Sequence, residues 1–258
     1  MLAIQVVNYR TRLYLERCLM TVLADVERSG LTYEVNLLDN DSGESLEGLS
    51  RIFPRCHAFA APRNLGFGAG HNLLARNTDA PYLLILNPDV EFVSPETAKR
   101  LIATVAEPGP VKVVGPKLLT PAGAAQAYDH GRLHGFRAQI ALRGGHSYWR
   151  ATNIRQGVAW VSGAALLVER AAFEQVGGFD ENLFLYKEDE DLCLRLRNTG
   201  GQVVYEPSVT VLHHGSAVTD RQAELAHASS YFFAKHLSHK RSQKAFAAAH
   251  HWLAYLRL

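Results

Sequence analysis

The chain has 258 residues, of which 47% are hydrophobic, and a formal net charge of +2 at pH 7. This length and apolar content suffice to bury one sizeable core, so we expect one main domain. The weak charge, with no basic cluster among aromatic residues before the C-terminal end, argues against nucleic acid as a partner.

The first half of the chain alternates apolar runs with helical patterns. Residues 2–7 predict a first strand, and residues 33–38 and 57–60 predict a second and a third. A helix over about 70–77 then leads to a buried fourth strand over 82–86. This alternation is typical of a Rossmann-like α/β fold, in which helices flank a mostly parallel central sheet.

Polar residues follow two of these predicted strands directly. Asp39, Asn40 and Asp41 come after the second strand, and Asn87 and Asp89 come after the fourth. Ligands bind at the carboxyl ends of strands in open α/β sheets, so we expect binding residues here. Asn-Pro-Asp is also favourable turn chemistry, and a turn without a ligand is the alternative for Asp89.

The second half of the chain is less regular. A strand is predicted over 111–116, but the periodicity fades between residues 120 and 153. We interpret that stretch as a long functional loop or a partly ordered insert that covers the site. Strand patterns resume over 157–161 and 163–168.

Four consecutive acids, from Glu188 to Asp191, stand between apolar residues on both sides. A solvated acidic run normally has polar flanks, so we expect several of these carboxylates at a pocket edge, held by cations, hydrogen bonds or a catalytic task. A helix predicted over 191–198 would place Glu188 and Asp189 at its N-terminal end, where the helix dipole favours anions. An ordinary solvated helix terminus is the alternative.

His213 follows another strand-like run, and a helical tail begins near residue 220. Together with the acids, His213 suits a divalent-metal site with a general base, and a core histidine is the alternative. The tail combines aromatic residues with Lys and Arg, as helices on membrane surfaces do. We favour packing of the tail on the domain or on a second subunit, and leave peripheral membrane contact open.

The three cysteines, Cys18, Cys56 and Cys193, have spacings that fit neither a disulfide framework nor a zinc site, so we expect buried, reduced thiols. No signal-peptide pattern is present, and no run approaches the roughly 20 apolar residues that span a bilayer. We therefore expect a cytoplasmic protein, either soluble or peripheral at the inner face of the membrane.

Several short motifs stand in a specific order along the chain. They are Val6-Val7-Asn8-Tyr9, Leu38-Asp39-Asn40-Asp41-Ser42, Asn64-Leu65-Gly66-Phe67-Gly68, Leu86-Asn87-Pro88-Asp89, Gly163-Ala164-Ala165-Leu166-Leu167, Gly177-Gly178-Phe179-Asp180-Glu181, the acid cluster and His213. In this order they resemble the family 2 glycosyltransferases of the GT-A fold, particularly the bacterial rhamnosyltransferase-like branch. The resemblance covers about residues 3–216, and it predicts a GT-A domain over 1–216 followed by a helical extension over 217–258.

The resemblance implies how a nucleotide-sugar donor would be bound. Asn8 and Asp39 would contact its base and ribose, and Arg63 and Asn64, with the glycines that follow, would let the backbone approach the nucleotide. The other donor-binding residues would be Tyr9, Asn40, Asp41, Gly66, Phe67 and Asn87.

The resemblance also implies a metal site and a catalytic base. Asp89 would hold Mg²⁺ or Mn²⁺ on the diphosphate, with His213 as the second protein ligand, and Asn87 replaces the first acid of the family's metal motif. Asp189 would be the base.

We assign supporting roles to the acidic neighbours of Asp189. Glu188 would orient or bind the acceptor, and Asp191 would cap the helix or pair with Arg195, four residues on. The acceptor site would include Trp160, Gly163 and Tyr186, although Trp160 and Tyr186 could equally be core or pocket-wall aromatics.

The implied activity is inverting, metal-dependent glycosyl transfer. A UDP- or dTDP-sugar, with dTDP-L-rhamnose as the first guess, would donate to a bacterial cell-surface polysaccharide or a lipid-linked glycan. The alternative is a non-catalytic sensor or scaffold that keeps the nucleotide-sugar fold, and the intact pair of Asp89 and Asp189 argues against it.

Overall fold

The computed structural model describes residues 1–44, 46, 48–53, 55–132, 149–215 and 221–237. The strands are β1 (Leu2–Asn8), β2 (Tyr33–Asp39), β3 (Cys56–Ala60), β4 (Tyr82–Leu86), β5 (Val90–Phe92), β6 (Val111–Leu119), β7 (His130–Gly131), β8 (Gln156–Gly157), β9 (Trp160–Val161), β10 (Ala165–Glu169) and β11 (Gln202–His213). The helices are α1 (Arg12–Arg28), α2 (Leu49–Ile52), α3 (Phe67–Ala75), α4 (Thr97–Ala106), α5 (Arg170–Gln175), α6 (Glu188–Asn198) and α7 (Arg221–Leu237).

A nine-stranded central sheet organises these elements. Its strand order is β3-β2-β1-β4-β10-β6-β11-β5, with β8 paired to β11. The α/β class with flanking helices is confirmed, but the sheet is mixed rather than mostly parallel. Within this sheet, four of the strand pairings among the described residues are parallel and four are antiparallel. Strands β1 to β4 are parallel as predicted. The difference arises because β10 runs antiparallel between β4 and β6, and because β5 and β8 run antiparallel to β11.

Both faces of the sheet are buried. Along β4, Leu84 and Leu86 face one hydrophobic cluster, whereas Leu83 and Ile85 face the other. Side chains alternate between the faces of a strand, so a strand covered on both sides must be apolar throughout. This explains the uninterrupted apolar run in the sequence, and it leaves the ends of the strands as the places where polar groups can gather.

The β3–α3 turn packs against the backbone that precedes α6. The Phe67 N–H donates to the carbonyl oxygen of Phe184 at 2.9 Å. Gly66 has φ of 84°, and a Cβ atom there would overlap the same carbonyl oxygen. Only glycine therefore fits this turn, which joins the end of β3 to the segment that precedes the acidic helix α6.

The described parts of the stretch 120–153 are tied to the sheet rather than looped over it. The Asp129 carboxylate accepts hydrogen bonds from the Tyr205 hydroxyl at 2.9 Å, from the Trp149 indole at 2.8 Å and from the Leu118 N–H at 3.2 Å. His130 Nδ1 lies 2.7 Å from the same carboxylate. Residues 133–148 lie outside the described residues, so the predicted insert is described only at its two ends.

The described part of the tail, α7, packs on the main domain. The Tyr231 hydroxyl and the Lys235 ammonium both donate to Asp180, at 2.9 and 2.7 Å, and Phe232 is fully buried. Residues 216–220 and 238–258 lie outside the described residues, as do most of the aromatic and basic residues on which membrane contact was considered. None of the helices in the described ranges combines the length and apolar character needed to cross a bilayer.

The cysteines agree with the sequence expectation. Cys18, Cys56 and Cys193 are all buried and free. Burial raises the pKa of Cys56 and Cys193 to about 12, so both remain thiols at neutral pH.

Gly66→Ala should lower the free energy of unfolding by about 3 kcal/mol, because the substitution adds both left-handed strain and overlap with Phe184. Urea unfolding followed by circular dichroism measures the loss. Gly123→Ala is the matched control, since Gly123 has φ of 78° but nothing within 4 Å of its Cβ position. It should lose only about 1 kcal/mol. Equal losses in the two variants would contradict the close approach of the turn to Phe184.

Candidate active site

Asn8 and Asp39 lie side by side where β1 and β2 end. They are paired in the strand register, and the Asn8 side chain is fully buried. Its amide oxygen accepts from the Thr11 hydroxyl at 2.8 Å, and its amide nitrogen donates to Glu44 at 3.1 Å. The sequence patterns did not single out Thr11 or Glu44, because neither stands at a predicted strand end. The Asn8 side chain therefore holds the β1–α1 turn and places Glu44 at this edge.

Asn40 and Asn64 join the loop after β2 to the β3–α3 turn. The Asn40 amide nitrogen donates to the Asn64 oxygen at 2.8 Å, and the Asn40 oxygen accepts from the Leu65 N–H at 2.8 Å. The Asn64 oxygen also accepts from the Gly66 N–H at 3.0 Å. These contacts fix the backbone of the turn, so its shape is set before any ligand is bound.

Three other predicted donor-site residues lie at the rim of this edge. Tyr9 is 39% exposed, with the Arg10 guanidinium 5.0 Å from its ring centre. Asp41 is a left-handed residue with φ of 62°, and Arg63 is exposed. Their side chains are therefore accessible from solvent.

Asn87, Asp89 and His213 meet where β4 and β11 end. Nε2 of His213 lies 3.3 Å from Oδ1 of Asp89 and 3.2 Å from the amide nitrogen of Asn87. Asp89 is buried, and its Oδ2 accepts from the Gly215 N–H at 2.9 Å. Nδ1 of His213 contacts Gln126 at 2.9 Å, a residue that the sequence patterns missed because it lies in the irregular stretch.

Within the described part of the chain, no group of three or more His, Cys, Asp or Glu side chains could by itself hold a metal ion. Asp89 and His213 supply a carboxylate oxygen and an imidazole nitrogen, two ligand types that divalent cations accept. A cation at this pair would therefore need further ligands from water or from a bound diphosphate.

The two residues Gly163 and Ala164 connect the strand end that carries Asn87 to the acidic helix α6. The Asn87 N–H donates to the Ala164 carbonyl oxygen at 2.8 Å, and the Gly163 N–H donates to Oδ2 of Asp189 at 3.0 Å. A Cβ at Gly163 would lie 3.1 Å from the Phe67 ring. Asp189, Gly163, Phe67 and Asn87 thus converge on one edge of the sheet.

α6 begins at Glu188, three residues earlier than predicted. The two residues before it, Tyr186 and Lys187, have positive φ angles of 71° and 68°. Left-handed backbone at non-glycine residues costs about 1–3 kcal/mol each and is concentrated at functional sites. The strain turns the chain sharply, so that Asp189 emerges in the first turn of the helix beside Gly163.

Asp189 is half-buried and held by backbone donors. Besides the Gly163 bond, its Oδ1 accepts from the Glu190 N–H at 2.7 Å. Burial raises the pKa of Asp189 above the ordinary aspartate value, and these two hydrogen bonds with the nearby Lys187 charge oppose the increase. A carboxylate with a raised pKa that still reaches solvent is suited to accept a proton.

Glu188 has a different environment. Its side chain is buried, and Oε2 has no hydrogen-bond partner among the described residues. Burial, with the negative charge of Asp189, raises the pKa of Glu188 well above the usual glutamate value. The neutral form of the carboxyl group is therefore favoured more than in an ordinary glutamate, and in that form it can donate a hydrogen bond.

Asp191 faces away from this edge. It is fully buried, and its Oδ2 accepts from the Arg195 guanidinium at 2.7 Å, as the spacing of four predicts. Oδ1 accepts from Lys235 at 2.7 Å and from His236 at 2.6 Å. Burial alone would raise the pKa of Asp191, but the hydrogen bonds from His236 and Lys235 and the Arg195 charge lower it overall. The structure places Asp191 beneath α7, so ion pairing is the predicted role that it fills.

The three residues predicted to contact the acceptor lie in different environments. Gly163 touches Asp189, and Tyr186 is half-buried directly before α6. Trp160 instead belongs to a hydrophobic cluster and is only 4% exposed, with its ring pressed against Gly131. Its burial favours the core interpretation over sugar stacking, because a fully packed ring presents no face to a ligand.

The central sheet, the polar residues at the ends of its strands and the acidic helix α6 together define a glycosyltransferase of the GT-A class. Residues 2–241 match the family model described as glycosyltransferase like family 2, and the chain belongs to this family. It is therefore a glycosyl-transferring enzyme, as the sequence motifs predict.

Several relatives match most of the chain, among them one from Mycobacterium tuberculosis and one from Myxococcus xanthus. The N-acetylglucosaminyl-diphospho-decaprenol L-rhamnosyltransferase of Mycobacterium tuberculosis is 31% identical over 265 residues, which cover 90% of this chain and 83% of that protein. The O-antigen biosynthesis protein RfbC of Myxococcus xanthus is 29% identical over 216 residues, which cover 78% of this chain and 16% of RfbC.

Among solved structures, the fold is similar to that of the mannosyltransferase PcManGT of Pyrobaculum calidifontis, in complex with GDP-Man and Mn²⁺. The TM-score is 0.60 at 17% identity, and the match covers 86% of this chain and 58% of that one. At this identity the likeness supports the fold, and the present chain spans less than two thirds of the solved one.

Asp191→Asn should loosen the docking of α7, because the substitution removes the charge shared by Arg195, Lys235 and His236. Losing one partner of a buried ion pair costs about 3 kcal/mol. Since the folded-state pKa of Asp191 is lowered, the contribution exists above its unfolded value and disappears as the pH falls through the folded value.

Hydrogen exchange at residues 221–237 measures this loosening. Glu174→Gln, which removes an exposed ion pair with Arg170, is the control and should leave the exchange unchanged. Unchanged exchange in Asp191→Asn would contradict the anchoring role.

Proposed function

We propose that the enzyme transfers a deoxyhexosyl group, with L-rhamnose the first candidate, from a dTDP- or UDP-sugar to a lipid-linked glycan. The relative of similar length carries both chemistries in its name, an L-rhamnosyl group and an N-acetylglucosaminyl-diphospho-decaprenol acceptor. The observation that carries the proposal is the contact path from Asp189 through Gly163 and Ala164 to Asn87, because it joins the proposed base to the strand end that carries Asp89.

Asp189 is the base in this proposal. As the acceptor oxygen forms a bond to the anomeric carbon, the bond from that carbon to the diphosphate oxygen breaks, and the acceptor proton passes to Asp189. Attack from the face opposite the leaving group inverts the anomeric centre, and it needs one base rather than a nucleophile and an acid. Gly163 and Glu190 hold the carboxylate in place through their N–H groups.

Glu188 supports this step as a hydrogen-bond donor. Its raised pKa favours the neutral carboxyl group over a second negative charge next to Asp189. Oε2 is buried and has no partner among the described residues, so the orienting role that the sequence implies would require Glu188 to reach an acceptor hydroxyl when the acceptor binds.

Asp89 and His213 fit a divalent cation. Mg²⁺ or Mn²⁺ at this pair would neutralise the departing diphosphate. Asp89 would supply a hard oxygen ligand, and His213 would supply Nε2. The Asn87 amide nitrogen contacts the same Nε2 atom, so a cation bound there would replace this hydrogen bond, and Asn87 presents no oxygen to the ion.

The donor nucleotide would lie along the ends of β1 and β2. Asp39 and the rigid turn held by Asn40 and Asn64 support this placement, because they present polar groups and a fixed backbone at one edge. Glu44 reaches the same edge through Asn8. A non-catalytic sensor would need the same donor pocket but no base, and the raised pKa of half-buried Asp189 favours the enzyme.

Asp189→Asn should reduce kcat about 10²- to 10⁴-fold, since general-base catalysis contributes that much, while donor affinity stays close to wild type. Transfer of radiolabelled sugar and isothermal titration with donor measure the two quantities. Glu190→Gln is the control from the same helical turn, where Glu190 pairs with Lys187. Near-normal turnover in Asp189→Asn would show that another group takes the proton.

Asp189 also predicts the pH dependence of transfer. Only the ionised carboxylate accepts a proton, and burial raises its pKa, so kcat/KM should fall with decreasing pH at values above the range of an ordinary aspartate, about 3.9. A pH–rate profile measures this fall in kcat/KM. A flat profile at pH values just above the ordinary aspartate range would contradict the role of Asp189 as the base.

Asp89→Ala should abolish the Mn²⁺-dependent part of nucleoside-diphosphate binding, because it removes the carboxylate ligand. Thermal shift with dTDP or UDP, with and without Mn²⁺, measures this difference, since a ligand bound by the native state raises Tm. Glu91→Gln is the matched control, because Glu91 lies two residues away and contacts His214 instead. An equal Mn²⁺-dependent shift in Asp89→Ala would place the cation elsewhere.

A further inference from the structure

Gln126 contacts the site from a stretch of sequence without a recognisable pattern. Its N–H donates to the Leu118 carbonyl oxygen at 2.9 Å, which folds the chain after β6 back along that strand. β6 runs parallel to β11, with Leu118 beside Val211. The return therefore carries the Gln126 side chain to the end of β11, where Oε1 lies 2.9 Å from Nδ1 of His213.

The hydrogen-bond chemistry of the two amides determines where the His213 proton lies. An amide oxygen can only accept, so the contact with Gln126 requires a proton on Nδ1. An amide nitrogen can only donate, so the contact with Asn87 at 3.2 Å requires a lone pair on Nε2. Both requirements are met by the same neutral tautomer.

The lone pair on Nε2 faces a second acceptor. Oδ1 of Asp89 lies 3.3 Å from Nε2, so in this tautomer a carboxylate oxygen and a nitrogen lone pair face each other. A cation placed against both atoms would relieve this repulsion, and it would replace the Asn87 amide hydrogen at the single lone pair of Nε2. If the proton moved to Nε2, the imidazole would instead donate a hydrogen bond to Asp89, and the pair would be satisfied without a cation.

We propose that Gln126 is a positioning residue, which holds His213 in the Nδ1–H tautomer and thereby presents Nε2 with Asp89 to a divalent cation. The inference rests on the proposed function, because the cation belongs to that proposal. Acceptors on the second nitrogen of metal-binding histidines have this effect on ring orientation and basicity, and their removal weakens metal binding about 10- to 100-fold.

Gln126→Leu removes the acceptor and tests the proposal. We expect Mn²⁺ affinity, measured by electron paramagnetic resonance with dTDP or UDP present, to fall about 10- to 100-fold. At saturating Mn²⁺, kcat should return close to wild type, because the base is untouched. Gln126→Glu keeps an oxygen acceptor and should restore binding, and Gln202→Leu, at the exposed start of β11, should leave it unchanged.

The tautomer of His213 gives a second readout. A loss of packing alone would not shift the proton of His213 from Nδ1 to Nε2. In protein with ¹⁵N-labelled histidine at pH 8 without metal, His213 is assigned by comparison with His213→Gln. Wild type should show the Nδ1–H form, and Gln126→Leu should shift His213 towards the Nε2–H form. An unchanged tautomer in Gln126→Leu, or an imidazolium or Nε2–H form in wild type, would overturn the proposal.

The two measurements separate the failure of this inference from that of the proposed function. If wild type binds no Mn²⁺ with either nucleotide, the proposed metal site is wrong. If wild type and Gln126→Leu bind Mn²⁺ equally, the metal site stands and the role of Gln126 is wrong.

Discussion

The hydrogen bond from the Gly163 amide to Asp189 is the contact on which the arrangement of the site depends. The next peptide unit accepts from the Asn87 N–H, so one short segment fixes the acid of α6 relative to the end of β4. A side chain at Gly163 would press on the Phe67 ring and on Asp189. Three distant parts of the sequence therefore reach one edge because a backbone amide, rather than a flexible side chain, connects them.

The four consecutive acids of α6 differ because each carboxyl group is compensated in a different way. Asp191 receives charged donors from α6 and α7, and Glu190 is paired with Lys187. Among the described residues, two backbone N–H groups donate to Asp189, and Oε2 of Glu188 has no partner. Hydrogen bonds to charged groups contribute about 1.5–3 kcal/mol each. The pKa therefore falls at Asp191, where three basic side chains outweigh burial, and rises at Glu188, Asp189 and Glu190, where burial has the larger effect.

Much of the fold could be predicted because its causes are local. The apolar run of β4 and the polar residues after it follow from a strand buried on both faces, and the Asp191–Arg195 pair follows from helical spacing. The antiparallel course of β10 could not be predicted, because strand direction depends on where the chain re-enters the sheet. Gln126 and Glu44 were missed for the same reason, since long-range packing brings each to the edge.

The strained entry to α6 is stable because the rest of the helix determines its position. Tyr186 and Lys187 together cost about 2–6 kcal/mol in backbone strain. Against this, Leu192 and Leu196 are fully buried, and each contributes about 1.5–3 kcal/mol. Asp191 adds the contacts to α7, so the helix is held along its length and at its flank. The location of Asp189 is thus a consequence of how the whole helix packs. Its two backbone hydrogen bonds lower its pKa by less than burial raises it.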